Sequence, residues 1–195
     1  NGSNGSTYAD ELIINNCVNN GEIEGDTVAG IIGNSSGNLK LSDCENNGAI
    51  NGRYSAGGIA QCIENKNSNE AEVSNCINNG NVFGGAEAAG IIDYAEGITV
   101  TNCINNGNIS SNGYVGGIFS YTSSVKGTGL VNNGKISGLE DIGGISAYDE
   151  GNSIFSKLYN TGVIDEENIG AQVSNLVKLG ESSTGEELEE EHHKP

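Results

Sequence analysis

Five cysteines, three evenly spaced tyrosines and two adjacent histidines are the side chains of this 195-residue chain whose types and spacing could do chemistry. Four of the cysteines open near-copies of one heptapeptide: Cys17-Val-Asn-Asn-Gly-Glu-Ile23, Cys44-Glu-Asn-Asn-Gly-Ala-Ile50, Cys76-Ile-Asn-Asn-Gly-Asn-Val82 and Cys103-Ile-Asn-Asn-Gly-Asn-Ile109. Leu130 and Leu158 take the same place in two further copies. A position that accepts leucine wants a buried apolar group, and a free thiol serves there as a small hydrophobe. A straight ladder of thiols cannot surround one ion tetrahedrally, so a metal site is not expected. In-register Cβ atoms about 4.8 Å apart lie beyond the usual ~3.5–4.5 Å of a disulfide, yet one or two bridges stay open, with Cys62 making the count odd.

Tyr94, Tyr121 and Tyr148 recur every 27 residues, and Asn34 and Cys62 fill their place in earlier copies. Facing outward, they would form a ligand-binding aromatic strip for sugar rings or a partner protein, because tyrosine joins an apolar face to a polar tip. Facing inward, they would fill a widened core. The paired asparagines have two readings as well: a turn at Asn-Asn-Gly, where Asn tolerates and Gly freely takes the left-handed conformation, with stacked amides running along the repeat, or a row of amides for sugar hydroxyls.

The two histidines, His192 and His193, lie beside Glu186-Glu-Leu-Glu-Glu-Glu191, where metal binding would be adventitious; no cofactor is expected. Glycoside hydrolysis needs two carboxylates at a set separation. The residues that share one place in the repeat are Glu22, Ala49, Asn81, Asn108, Lys135 and Val163, so no such pair recurs. The elements Asn-x-Asp, Asp-Asp, Gly-His-Gly and Arg-x-Lys of polygalacturonase-type solenoids are absent, as are calcium-binding loops. The chain reads as non-catalytic. A polysaccharide-active enzyme with an unfamiliar site is the alternative.

The elements that must position these residues follow from the repeat itself. The glycines of the Asn-Asn-Gly copies, Gly21, Gly48, Gly80, Gly107, Gly134 and Gly162, are 27, 32, 27, 27 and 28 residues apart. The polar insertion Glu64–Glu70 accounts for the long step and predicts a loop. A second mark about ten residues on reads Ala29-Gly-Ile-Ile32, Gly57-Gly-Ile-Ala60, Ala89-Gly-Ile-Ile92, Gly116-Gly-Ile-Phe119, Gly143-Gly-Ile-Ser146 and Ile169-Gly-Ala-Gln172. Before each cysteine, runs such as Leu39-Lys-Leu41 and Ile98-Thr-Val100 alternate with period two, the strand signal. Glycine and asparagine inside every unit oppose helices, and 27 residues are too few for a propeller blade. The expected fold is all-β: a parallel β-solenoid, a right-handed β-helix of about six coils with three short strands per coil. Residues 1–8 read as a flexible linker, 9–179 as the solenoid and 180–195 as an acidic tail.

A narrow core refilled by each repeat suits the apolar fraction of 35%. The formal net charge of −18, with Arg53 the only arginine, opposes nucleic-acid binding, which needs clustered bases to neutralise phosphates. No run of eighteen apolar residues predicts membrane insertion. A start at Asn1 without methionine reads as a processed chain or an excised piece.

The repeats resemble the GLUG-type repeats of bacterial and archaeal surface proteins, adhesin-like proteins included. The likeness rests on Asn-x-Gly-x-Ile/Val (Asn78 to Val82, Asn105 to Ile109, Asn160 to Ile164) and Gly-Gly-Ile (Gly116 to Ile118, Gly143 to Ile145), and covers roughly Leu12 to Val173. It implies an extracellular or cell-surface, repeat-built, non-catalytic module, an interaction or spacer domain whose partner would be a glycan or a protein of a host or neighbouring cell. Unpaired strand edges at the solenoid ends add a self-assembling filament as the alternative.

Overall fold

The computed structural model describes residues 11–65, 71–166 and 172–179, and these form a parallel β-solenoid of six coils with no helix among them. The expected linker, the tip of the insertion loop and the acidic tail with its histidines lie outside the described residues.

Each coil contributes to three parallel sheets, of ten, ten and six strands. The fourth coil shows how. Thr99–Thr101 and Ile104–Asn105 belong to the first sheet, Ile109–Ser111 and Tyr114–Gly116 to the second, and Phe119–Ser123 to the third. The three strands expected per coil are therefore three sheets, two of which bend and break into shorter segments. Register is strict: Val73 pairs with Val100, Asn78 with Asn105, Val82 with Ile109 and Tyr94 with Tyr121. The 32-residue step leaves this register intact, because Lys40 still pairs with Glu72 and Cys62 with Tyr94 on either side of the insertion.

Two apolar columns fill the coil. The larger is built from ranks such as Leu41, Val73 and Val100, or Ile59, Ile91, Ile118 and Ile145. The smaller, inside the bend of the second sheet, holds Ile50, Val82, Ile109 and Ile136 against Ala56, Ala88, Val115 and Ile142. Cys44, Cys76, Cys103 and Leu130 are one buried rank of the larger column. Cys17, at the same rank, is exposed, and among the described residues the first coil has a neighbour on one side only. All five cysteines are thiols rather than disulfides, and each ladder thiol points at the carbonyl two residues before it, as Cys44 Sγ does to Ser42 O at 3.2 Å.

The asparagines form two ladders of opposite polarity. The first residue of each pair is the inner rank: Asn19 Nδ2 donates to Asn46 Oδ1, Asn46 to Asn78, Asn78 to Asn105, Asn105 to Asn132 and Asn132 to Asn160, at 2.7–2.9 Å. The second is exposed and runs the other way, Asn133 donating to Asn106, Asn106 to Asn79, Asn79 to Asn47 and Asn47 to Asn20. These amides satisfy one another along the rod, as stacked identical amides do in cross-β structures.

Two sequence expectations are corrected here. The left-handed corner is not at Asn-Asn-Gly but one residue before the cysteine rank, at Asn16, Asp43, Asn75, Asn102, Gly129 and Lys157, with φ between 52° and 66°. The glycine of Asn-Asn-Gly is required for space: a Cβ on Gly107 would run into the carbonyl of Gly80 and come within 3.1 Å of Asn78 Nδ2. The sixth copy of the second mark is also displaced. Ile142 pairs with Val173, Gly143 with Ser174 and Ser146 with Val177, so the copy is Ser174-Asn175-Leu176-Val177 rather than Ile169 to Gln172. The last coil simply has a longer path between its two marks, and the cue of glycine misplaced it.

Candidate functional site

Tyr94, Tyr121 and Tyr148 occupy one outward rank of the third sheet, continued downward by Cys62 and Asn34. All three rings are half-buried, so neither a fully buried core role nor a freely exposed strip describes them. Tyr94 and Tyr121 stack with centroids 4.8 Å apart and planes 7° apart; Tyr121 and Tyr148 stack at 5.3 Å and 20°. Parallel strands impose nearly this spacing on any in-register pair, so the sheet sets the stack. Tyr114 of the second sheet closes on Tyr148 at 5.7 Å, tilted by 57°.

The consequence differs from a flat platform. Each ring spends its face on the next, and the rank presents ring edges and hydroxyls as a ridge. Tyr94 Oη donates to Glu96 Oε2 at 2.9 Å, and Tyr121 is hydrogen-bonded to Glu150. Burial, then the bonded carboxylate, pushes both phenols well above the usual tyrosine range.

Beside the ridge lies a cluster that sequence reasoning missed. Asp93 is wholly buried although it directly precedes the tyrosine rank. Ser120 Oγ donates to its Oδ1, and Gln61 Nε2 donates to Oδ2 at 3.3 Å. Gln61, Asp93 and Ser120 are one rank on three successive coils, so the carboxyl is clamped from above and below. Burial raises its pKa to about 7 against the lowering effect of Ser120. Glu87, whose charge opposes ionisation of Asp93, is itself raised by burial and lines an open groove of about 320 Å³ with Ala86, Asn112, Tyr114 and Glu140. The available signal was a lone acid at a place held elsewhere by Gly33, Gln61, Ser120 and Ala147.

What this arrangement can do is limited. Asp93 cannot touch a ligand without the sheet opening, so it is no partner for Glu87 in acid–base chemistry on a polysaccharide. Among the described residues no group of three or more histidine, cysteine or carboxylate side chains could hold a metal ion. Within the cysteine ladder burial pushes the Cys44 thiol up to about 11, and the hydrogen bond between Cys76 and Cys103 lowers Cys76 while it and burial hold Cys103 well above its ordinary value. No described helix is long and apolar enough to cross a membrane. Comparison with family models, with curated proteins and with solved structures gives no match.

Proposed function

We propose that the chain is a non-catalytic β-solenoid module of an extracellular or cell-surface protein, a rigid spacer that carries an adhesin-like contact surface at the tyrosine ridge. The observation that supports it is the half-buried stack of Tyr94, Tyr121 and Tyr148, an aromatic surface ordered before any partner arrives. Side chains already fixed lose little conformational freedom on binding. The resemblance of the repeats to GLUG-type surface proteins points the same way.

Because ring faces are taken up by neighbouring rings, the ridge favours a protein partner over a sugar stacked on a ring plane. Ring edges carry the positive rim of the aromatic quadrupole, while Glu96 and Glu150 add negative charge beside them. A partner surface with lysine or arginine next to apolar groups complements that pattern. The test compares wild type with Tyr121→Ala for binding to cells, to basic protein surfaces and on a glycan array, with circular dichroism to confirm the fold. Loss of binding in the variant supports the ridge. Unchanged profiles would sink it, and a glycan signal lost with Tyr121 would replace the protein partner by a sugar.

A further inference from the structure

The inner asparagine ladder does not stop at its sixth rung. Asn160 Nδ2, which in the five coils below would donate to the ladder asparagine of the next coil, donates instead to Asn175 Oδ1 at 3.1 Å. Asn175 is not a ladder residue. Gly144 N bonds Ser174 O and Ile145 N bonds Leu176 O, so Asn175 stands at the place held by Gly30, Gly58, Gly90, Gly117 and Gly144 in the coils below.

That place is glycine for a reason of space. A Cβ there would lie 2.8 Å from Cγ of Asn46 at Gly30, 2.6 Å from Asn78 at Gly58, 2.5 Å from Asn105 at Gly90, 2.5 Å from Asn132 at Gly117 and 2.8 Å from Asn160 at Gly144. In every case the threatened residue is the ladder asparagine of the following coil. Side chain and next rung therefore exclude each other. In the sixth coil the glycine is replaced by a residue of the ladder's own type, and its amide oxygen sits where a seventh rung would accept.

We propose that Asn175 is a stop rung: it completes the inner ladder and prevents another coil from stacking in register on the sixth, whether that coil comes from a second copy of this chain or from another solenoid. In other respects the two ends are alike among the described residues: the strands of the first and sixth coils each pair on one side only, with Leu12, Ile13 and Val18 exposed at one end and Ile154, Tyr159 and Val163 at the other. An incoming first coil would bring Asn19 Oδ1 to Asn160 Nδ2, the contact Asn175 already fills. The two ends are thus unequal, and head-to-tail growth is blocked at the C-terminal one by a single side chain.

The test is sedimentation of wild type, Asn175→Gly and Asn175→Ala over a wide concentration range. The glycine variant, which restores the interior pattern, is expected to associate with rising concentration. Wild type and the alanine variant, which keeps the obstructing Cβ, are expected to stay monomeric. Asn19→Ala added to Asn175→Gly should reverse the association. Equal association of all three chains, or a glycine variant monomeric throughout, would overturn the proposal. A readout free of assembly guards against a misfolded variant: the Asn160 side-chain amide protons of wild type should exchange slowly with solvent, and exchange as fast as in the denatured chain would overturn it too.

Discussion

Tyr94 and Tyr121 lie ring on ring, 4.8 Å between centroids and 7° between planes, at the spacing the parallel third sheet imposes on their backbones. Tyr121 has a second stacked neighbour in Tyr148, whereas Tyr94 is followed below by Cys62. Aromatic pairs contribute roughly 0.5–1.5 kcal/mol each beyond area burial. Tyr121→Ala, which breaks two stacks, should cost about 1–3 kcal/mol, and Tyr94→Ala, which breaks one, about half as much. Urea unfolding measures both. Equal losses would mean that the rings act singly.

The same rank sets an alkaline limit. Both phenols are raised above their ordinary value, by burial first and by the bonded carboxylates second. The folded state therefore holds these protons more tightly than the unfolded chain. The stability they add is present below the unfolded tyrosine pKa, near 10, and is lost as pH climbs toward the folded values. Ultraviolet titration should show Tyr94 and Tyr121 ionising only above the ordinary tyrosine pKa of about 10, with unfolding accompanying that step. Ionisation of Tyr94 and Tyr121 near pH 10 in a chain that stays folded would contradict this.

Asp93 acts in the opposite part of the pH scale. Its folded pKa of about 7 exceeds the unfolded value of about 3.9, so its protonated form is the one the fold prefers. The contribution is fully present below about pH 3.9, declines as pH rises toward 7 and is flat above. Three pKa units correspond to about 4 kcal/mol at most. Asp93→Asn, which cannot ionise and keeps an amide oxygen for Ser120, should remove this decline and exceed wild type in stability at pH 8. Parallel stability–pH curves for the two chains would refute the assignment.

The repeat made the solenoid legible because each rank repeats one physical demand: apolar at Val73 and Val100, small at Gly90 and Gly117, amide at Asn78 and Asn105. The reason behind a residue was harder to read than its place. Glycine serves equally for a left-handed corner and for close approach, and only coordinates distinguish Gly129, with φ of 66°, from Gly107, which lies under a carbonyl. The tyrosine rank was legible as a rank, but its stacking depends on side-chain angles that spacing does not carry. Asp93 stayed hidden because its partners, Gln61 and Ser120, are 32 and 27 residues away and carry no motif.

Space rather than conformation at the glycine ranks has its own consequence. At Gly117 a Cβ would meet Asn132 Cγ at 2.5 Å and the carbonyl of Gly144, and the surroundings are rigid ladder and backbone. Overpacking of this kind costs typically 1–3 kcal/mol, so Gly117→Ala should lower stability by at least that range. A Cβ on Gly33 would meet nothing within 4 Å. Gly33→Ala should therefore fall within about 0.5 kcal/mol of wild type, or gain slightly from a less flexible unfolded chain. Thermal unfolding of the two variants separates a steric requirement from a general intolerance of glycine replacement.

Lys157 offers the converse experiment, a gain. It stands at the left-handed corner before Leu158, with φ of 52°, where four earlier coils have Asn16, Asp43, Asn75 and Asn102 and the fifth has Gly129. An L-residue in that region pays roughly 1–2 kcal/mol for the approach of Cβ to the following carbonyl, and asparagine and aspartate relieve it by local hydrogen bonds. The lysine side chain is exposed, so its replacement removes no packing. Lys157→Asn should therefore stabilise the sixth coil by about 1 kcal/mol, read as slower amide exchange across Ile154–Asn160 and a higher unfolding midpoint. A neutral or destabilising result would show that the backbone of the last coil relaxes around lysine, and that the corner, unlike the glycine ranks, does not limit which side chain it accepts.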